Sequence, residues 1–285
     1  MGEDRSINMV QWFPGHMMKA KKEMEDILRV IDIVIELVDA RIPISSQNPL
    51  FQEIVKQKPR LFLLTKSTLA DDAMTKSWVK IFEKEQKPCL IIDALTGFNV
   101  NRIASHCRIV LQEKIKRDQA RGMKDRALRA MIIGVPNVGK STLINTLVRK
   151  KVSAVGNKPG VTKAQQWIRI NKDLELLDTP GVLWPKFEKQ LQGYHLSLVG
   201  SIRDEVVKKE DIITYLFGFL KDYYPIFLTQ YTQLSQEIST LDLISHLGKR
   251  WGIQPSEEDR IYDHILKDFR SGAIGRISLD RVSHE

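Results

Sequence analysis

Two cysteines in 285 residues, Cys89 and Cys107, are too few to staple a fold, which excludes a disulfide-built scaffold and leaves two free thiols. No apolar run approaches the ~20 residues of a bilayer-crossing helix. The segment Met9-Val10-Gln11-Trp12-Phe13 is too short, and its flanks too polar, for a secretory leader. A cytoplasmic chain without a membrane partner is therefore expected. No internal repeat or low-complexity tract is present, which excludes a solenoid. Acid is also in deficit: 35 Asp and Glu stand against 44 Lys and Arg, giving a net charge of +9. With 42% hydrophobic residues, a chain of this length can bury the core of one large or two ordinary domains.

The positive charge is uneven. From Arg102 to Arg129 there are nine Lys or Arg against three Asp or Glu. The stretch reads mostly as an amphipathic helix with Ile103, Ile109, Val110 and Ile115 as its apolar positions. Two readings stay open for it, a solvated helix face and an RNA-facing surface.

Short apolar runs alternate with helical patterns in the first two thirds. Ile31–Val38, Arg60–Leu64 and Cys89–Ile92 read as strands, with helical segments near 17–29, 47–56 and 72–86. That alternation argues a parallel α/β sheet. Beyond about residue 190 it stops, and segments near 190–202, 209–223, 237–250 and 256–271 read as helices.

The strongest local signal is Gly134-Val135-Pro136-Asn137-Val138-Gly139-Lys140-Ser141, which fits GxxxxGK[ST]. It lies between an expected strand, Arg129–Ile133, and an expected helix, Ser141–Val148, the strand–loop–helix setting a phosphate-binding loop requires. Loop amides, including those of Val138, Gly139 and Thr142, and the helix N-terminus would face the phosphates. Lys140 would add a point charge, and the Ser141 hydroxyl would bind Mg²⁺. Further on, Leu174–Leu177 leads into Asp178-Thr179-Pro180-Gly181. An aspartate ending such a strand suits Mg²⁺ binding, and the Gly181 amide can approach a γ-phosphate. A P-loop sheet needs more than these two strands, and the tail offers none. The missing strands must come from residues 31–94, ahead of the P-loop, so the usual order is rotated.

These motifs, with Pro159-Gly160-Val161-Thr162, Asp39-Ala40-Arg41-Ile42-Pro43, Ser45-Ser46-Gln47-Asn48-Pro49 and Gln11-Trp12-Phe13-Pro14-Gly15-His16-Met17, resemble the circularly permuted GTPases. More narrowly they resemble the ribosome biogenesis GTPase A family of bacteria. The resemblance implies an α/β circularly permuted P-loop GTPase domain with a mostly parallel sheet over residues 1–185. A smaller all-helical RNA-binding domain would follow over 186–285. It implies hydrolysis of GTP to GDP and phosphate with Mg²⁺, in late assembly of the large ribosomal subunit, through contact with its RNA. Neither a DNA nor a membrane partner is expected, and the chain is expected to be a monomer.

Carried over residue by residue, Lys140 and Ser141 keep the roles above. Thr162 is the switch threonine that joins the Mg²⁺ shell, and Asp178 and Gly181 are the metal-side carboxylate and the γ-phosphate amide. Asn137 is the asparagine that, in potassium-stimulated relatives, helps hold K⁺; a turn residue is the other reading open for it. No glutamine follows Gly181, since Val182, Leu183 and Trp184 stand there. The resemblance makes His16 the group that positions the attacking water. From the residues alone, a histidine that only hydrogen-bonds a loop stays open.

One departure stands at the base. The family reads guanine with Asn-Lys-x-Asp, and this chain has Thr65-Lys66-Ser67-Thr68. A threonine cannot accept from guanine N1–H and N2–H₂ together, as a carboxylate does. Lys66 can still cover the base face with its stem. In the adjoining loop Asp93-Ala94 replaces the usual Ser-Ala, and the Ala94 amide can meet guanine O6. Two alternatives follow: a nucleotide-gated RNA-binding switch with poor hydrolysis, or an NTPase of relaxed base specificity.

Overall fold

A computed structural model describes residues 25–55, 58–152, 167–178, 189–235 and 237–282. Six strands form one sheet in the order β3-β2-β1-β4-β6-β5. They are β1 (Ile33–Asp39), β2 (Arg60–Thr65), β3 (Cys89–Ile91), β4 (Leu128–Gly134), β5 (Trp167–Arg169) and β6 (Leu174–Asp178). All neighbours are parallel except β5, which runs antiparallel to β6. The first strand of the chain thus lies beside β4, the strand that enters the phosphate loop. That is the rotation of order expected from the sequence.

Every residue of β1 is buried, the pattern of a parallel strand covered on both faces. Its side chains alternate as a period of two requires. Ile33, Ile35 and Leu37 join the main core, while Val34 packs with Leu28, Phe51, Met131 and Ile133 on the other face. Val38 joins Phe62, Leu64, Trp78 and Phe82 under the helix Asp72–Lys84. Asp71 caps that helix by accepting from the amides of Ala73 and Met74.

The expected basic helix is two, α3 (Ile103–Val110) and α4 (Gln112–Ala120), numbered after α1 (Pro49–Ile54) and α2 (Asp72–Lys84). The break falls at Leu111, whose side chain is buried in the core. Lys114 and Arg126 both bond the Asp32 carboxylate just before β1, and Arg108 bridges Asp125 and Asp173. Three of the nine cations of this run are thus drawn to carboxylates at the N-terminal edge of the strands. Proximity in sequence to the phosphate loop does not bring Lys114 and Arg126 beside it.

After α5 (Lys140–Val152), the tail carries α6 (Gln190–Leu198), α7 (Lys209–Tyr223), α8 (Pro225–Thr232), α9 (Thr240–Trp251) and α10 (Glu258–Ser271). Ser239 caps α9 by accepting from the Asp242 amide. Apolar faces of α7, α9 and α10 meet in a cluster continuous with the core on one side of the sheet. Residues beyond α10 then cross back onto the sheet half. The amides of Ile277 and Leu279 donate to the carbonyls of Leu69 and Arg41.

Candidate nucleotide site

The parallel strands end together, and the order reverses between β1 and β4. An open α/β sheet holds its ligand in the crevice at that place. The loop Gly134–Ser141 spans it. Gly134 begins the loop at φ 156°, paired in register with Leu37. A Cβ there would lie 2.9 Å from the Leu37 carbonyl oxygen and 2.9 Å from Val138 Cγ1. Asn137 and Gly139 also take positive φ, 57° and 110°. Backbone turns of this kind are the ones that build anion-binding concavities. Lys140 opens α5, and its Nζ folds back to donate to the Gly134 and Val135 carbonyls at 3.1 and 3.4 Å.

Val138 is fully buried, so it anchors the loop. Thr65 braces it from below: buried at the end of β2, its hydroxyl donates to the Val138 carbonyl at 2.7 Å. Thr65 thus works beneath the loop.

Asp39, at the end of β1, ties the base loop to the sheet. It is fully buried and accepts from Arg41 Nε and Nη2 at 2.9 and 2.8 Å, with Lys66 Nζ at 3.1 Å. Burial opposes its ionisation, but Arg41 and Lys66 overcome that and hold the carboxyl well below the usual range. Lys66 and Thr68, the residues expected on the base side, follow β2 directly, and Ser67 between them is buried. Asp93 lies across from Thr68 and bonds its hydroxyl. Ala94 is held by its carbonyl, which accepts from Thr146 of α5 at 2.8 Å.

For a divalent cation the chain offers Ser141 at the exposed start of α5 and Asp178, whose backbone pairs with Ile132 two residues before Gly134. A hydroxyl and a carboxylate are hard oxygen donors, which suits Mg²⁺. His16, Thr162 and Gly181 lie outside the described residues. Asn137 donates through Nδ2 to the carbonyl of Gly200 at 2.8 Å. The phosphate loop therefore touches the turn that leaves α6, a contact across 63 positions that sequence reading missed. Arg270 fixes this turn by donating to the Ser197 and Leu198 carbonyls and pairing with Asp204. Arg276 was missed as well: it donates to the Ser67 and Ala70 carbonyls of the base loop at 3.0 and 2.9 Å, and pairs with Asp72. A lone arginine in a helical tail carries no signal for such a role.

A parallel sheet of this order, with a phosphate loop at its reversal and a base loop that precedes it in sequence, defines a circularly permuted P-loop GTPase. The family described as 50S ribosome-binding GTPase matches residues 129–245. The ribosome biogenesis GTPase A of Bacillus licheniformis is 44% identical over 96% of this chain and 98% of its own. That of Bacillus cereus is 42% identical over 95% and 94%. GNP-bound YlqF from T. maritima superposes with a TM-score of 0.65 at 25% identity, over 92% of this chain and 98% of that one. The chain belongs to the ribosome biogenesis GTPase A family, and it is a GTP-hydrolysing enzyme. No described helix is long and apolar enough to cross a membrane.

Proposed function

We propose that the chain is a cytoplasmic assembly factor of the large ribosomal subunit, binding its RNA through the helical tail and leaving when GTP is hydrolysed. The observation that carries this reading is the bond between Asn137 of the phosphate loop and Gly200 of the tail. A nucleotide that reorders the loop acts directly on the element that meets RNA. In this reading the units are a GTPase half, about 1–185, and a helical half, 186–285, and the protein acts as a monomer. Ser141, Thr162 and Asp178 hold Mg²⁺, and Gly181 meets the γ-phosphate. Asn137 offers Oδ1 to K⁺, because Nδ2 is the atom given to Gly200. His16 positions the attacking water, since no glutamine follows Gly181.

The test is single-turnover hydrolysis and nucleotide affinity, each with and without large subunits. Lys140→Ala should abolish hydrolysis and weaken triphosphate binding strongly, because it removes a cation among phosphate oxygens. His16→Ala should lower turnover by about 10²-fold with affinity unchanged, the mark of a group used only in the transition state. Wild-type turnover in Lys140→Ala would refute the phosphate site. Equal subunit-stimulated rates in His16→Ala would return that residue to a structural loop role.

A further inference from the structure

The carboxylate missing from the base loop is present one loop away. Thr68 and Asp93 follow β2 and β3, which pair in parallel with Leu64 opposite Ile91, so their loops leave the same end of the sheet side by side. Thr68 Oγ1 donates to Asp93 Oδ2 at 2.6 Å. Asp93 Oδ1 accepts from the amides of Leu95 and Thr96 at 3.0 and 2.9 Å. The Thr96 hydroxyl adds a third bond to Oδ1 at 3.2 Å. Asp93 is only 2% exposed, whereas Thr68 is exposed. Burial would raise the Asp93 carboxyl, but the Thr68 and Thr96 bonds outweigh it, so the group is held ionised. A hydroxyl has one proton, and Thr68 gives it to this carboxylate. What Thr68 turns outward is lone pairs only, on an oxygen made a better acceptor by its charge-assisted bond.

We infer that Thr68 reads the base as a single acceptor and that Asp93 is the positioning residue that fixes its polarity. The family pattern puts the carboxylate in the base loop and the hydroxyl in the adjoining one; here the two have changed places. A single acceptor meets the ring N1–H of any 6-oxopurine and opposes the N1 lone pair of adenine. It cannot take N1–H and the 2-amino group together. The site therefore selects guanine and hypoxanthine over adenine but scarcely distinguishes the first two. This specificity rests on the phosphate-loop assignment proposed above.

Competition of GDP, IDP and ADP against a fluorescent GDP analogue on the full chain tests it. GDP and IDP should bind within about threefold of each other and ADP about tenfold or more weakly, the scale of one hydrogen bond made or opposed. Asp93→Asn is the decisive variant. The Leu95 and Thr96 amides hold the asparagine oxygen in the Oδ1 place, so its NH₂ group faces Thr68. The hydroxyl proton then turns outward, and the GDP-to-ADP preference should collapse or reverse. Thr68→Val should level all three ligands. Thr68→Asp with Asp93→Ser should restore the two-acceptor arrangement and favour GDP over IDP by about tenfold. Thr68→Asp alone sets two carboxylates in contact and should weaken every purine. A wild-type GDP preference over IDP above tenfold, or an unchanged GDP-to-ADP ratio in Asp93→Asn, overturns the inference while leaving the phosphate site standing. Full GDP affinity in Lys140→Ala removes the phosphate site, and this inference with it.

Discussion

Glu36 and Asp39 lie on the same strand, both buried, and are pushed in opposite directions. Asp39 has two cations in ion-pair contact; Glu36 has Arg60 alone in such contact, with Lys87 acting from further off. Glu36 Oε2 is 3.4 Å from Arg60 Nη1, which also donates to Gln52 at 2.5 Å, and Oε1 has no partner among the described residues. Burial pushes its carboxyl up to about 7, with Arg60 only partly offsetting it. In the unfolded chain such a group titrates near 4.3. Between those values the folded state binds the extra proton, so its stabilising effect is full below about pH 4.3 and is lost as pH rises through about 7. Glu36→Gln removes the ionisation. It should be near neutral at pH 5 and stabilising by about 2 kcal/mol at pH 8. Urea midpoints of both proteins at the two pH values check this, and an identical pH dependence would refute it.

At the scale of elements, the strands that build the site were legible because each is a short apolar run that ends in residues of the expected site. β1 runs into Asp39-Ala40-Arg41, β2 into Thr65-Lys66, and β4 into the glycine loop. What the sequence hid was set by tertiary context. β5 has three residues, two of them exposed, on the sheet edge, so no apolar run marks it. α8 begins at Pro225, which reads as a breaker unless its place at the first turn is known. The basic stretch carries one apolar period through Leu111, where the helix breaks. Thr68 and Asp93 each stood out as a departure, but only the pairing of β2 with β3 shows that one answers the other. The phosphate loop also gives a prediction of its own. Gly134→Ala places a methyl against the Leu37 carbonyl, a backbone atom that can withdraw only by parting β1 from β4. The variant should lose about 1–3 kcal/mol of stability, the usual cost of overpacking. Thermal unfolding reads that loss, and an unchanged melting temperature would mean that the loop yields instead.

Across the whole molecule, the tail holds the nucleotide site at two places, the phosphate loop through Asn137 and Gly200 and the base loop through Arg276. The second is the more specific. Residues 277–280 lie along the sheet half, with Leu279 N–H on the Arg41 carbonyl at 2.8 Å and the Asp280 carbonyl accepting from Trp78 at 3.1 Å. Asp280 also caps the turn at Ile44 and Ser45 and bonds His195 of α6. Arg276, next to this segment, reaches two carbonyls that bracket Thr68, so the loop that carries Thr68 is positioned by residues beyond α10. Arg276→Ala removes those donors and leaves the β-strands and the phosphate loop untouched. GDP affinity should fall about threefold to tenfold, the worth of one or two hydrogen bonds. Pyrophosphate, which has no base, should bind as before. Arg276→Lys should restore part of the loss, because one ammonium reaches fewer acceptors than a guanidinium fork. Linkage makes the effect reciprocal: a ligand of the tail that shifts this segment must change nucleotide affinity, and the nucleotide must change the tail's affinity by the same factor. Calorimetric titration of GDP and pyrophosphate against the three proteins decides it. Equal losses for both ligands would place the effect of Arg276 in general stability and not in the base loop.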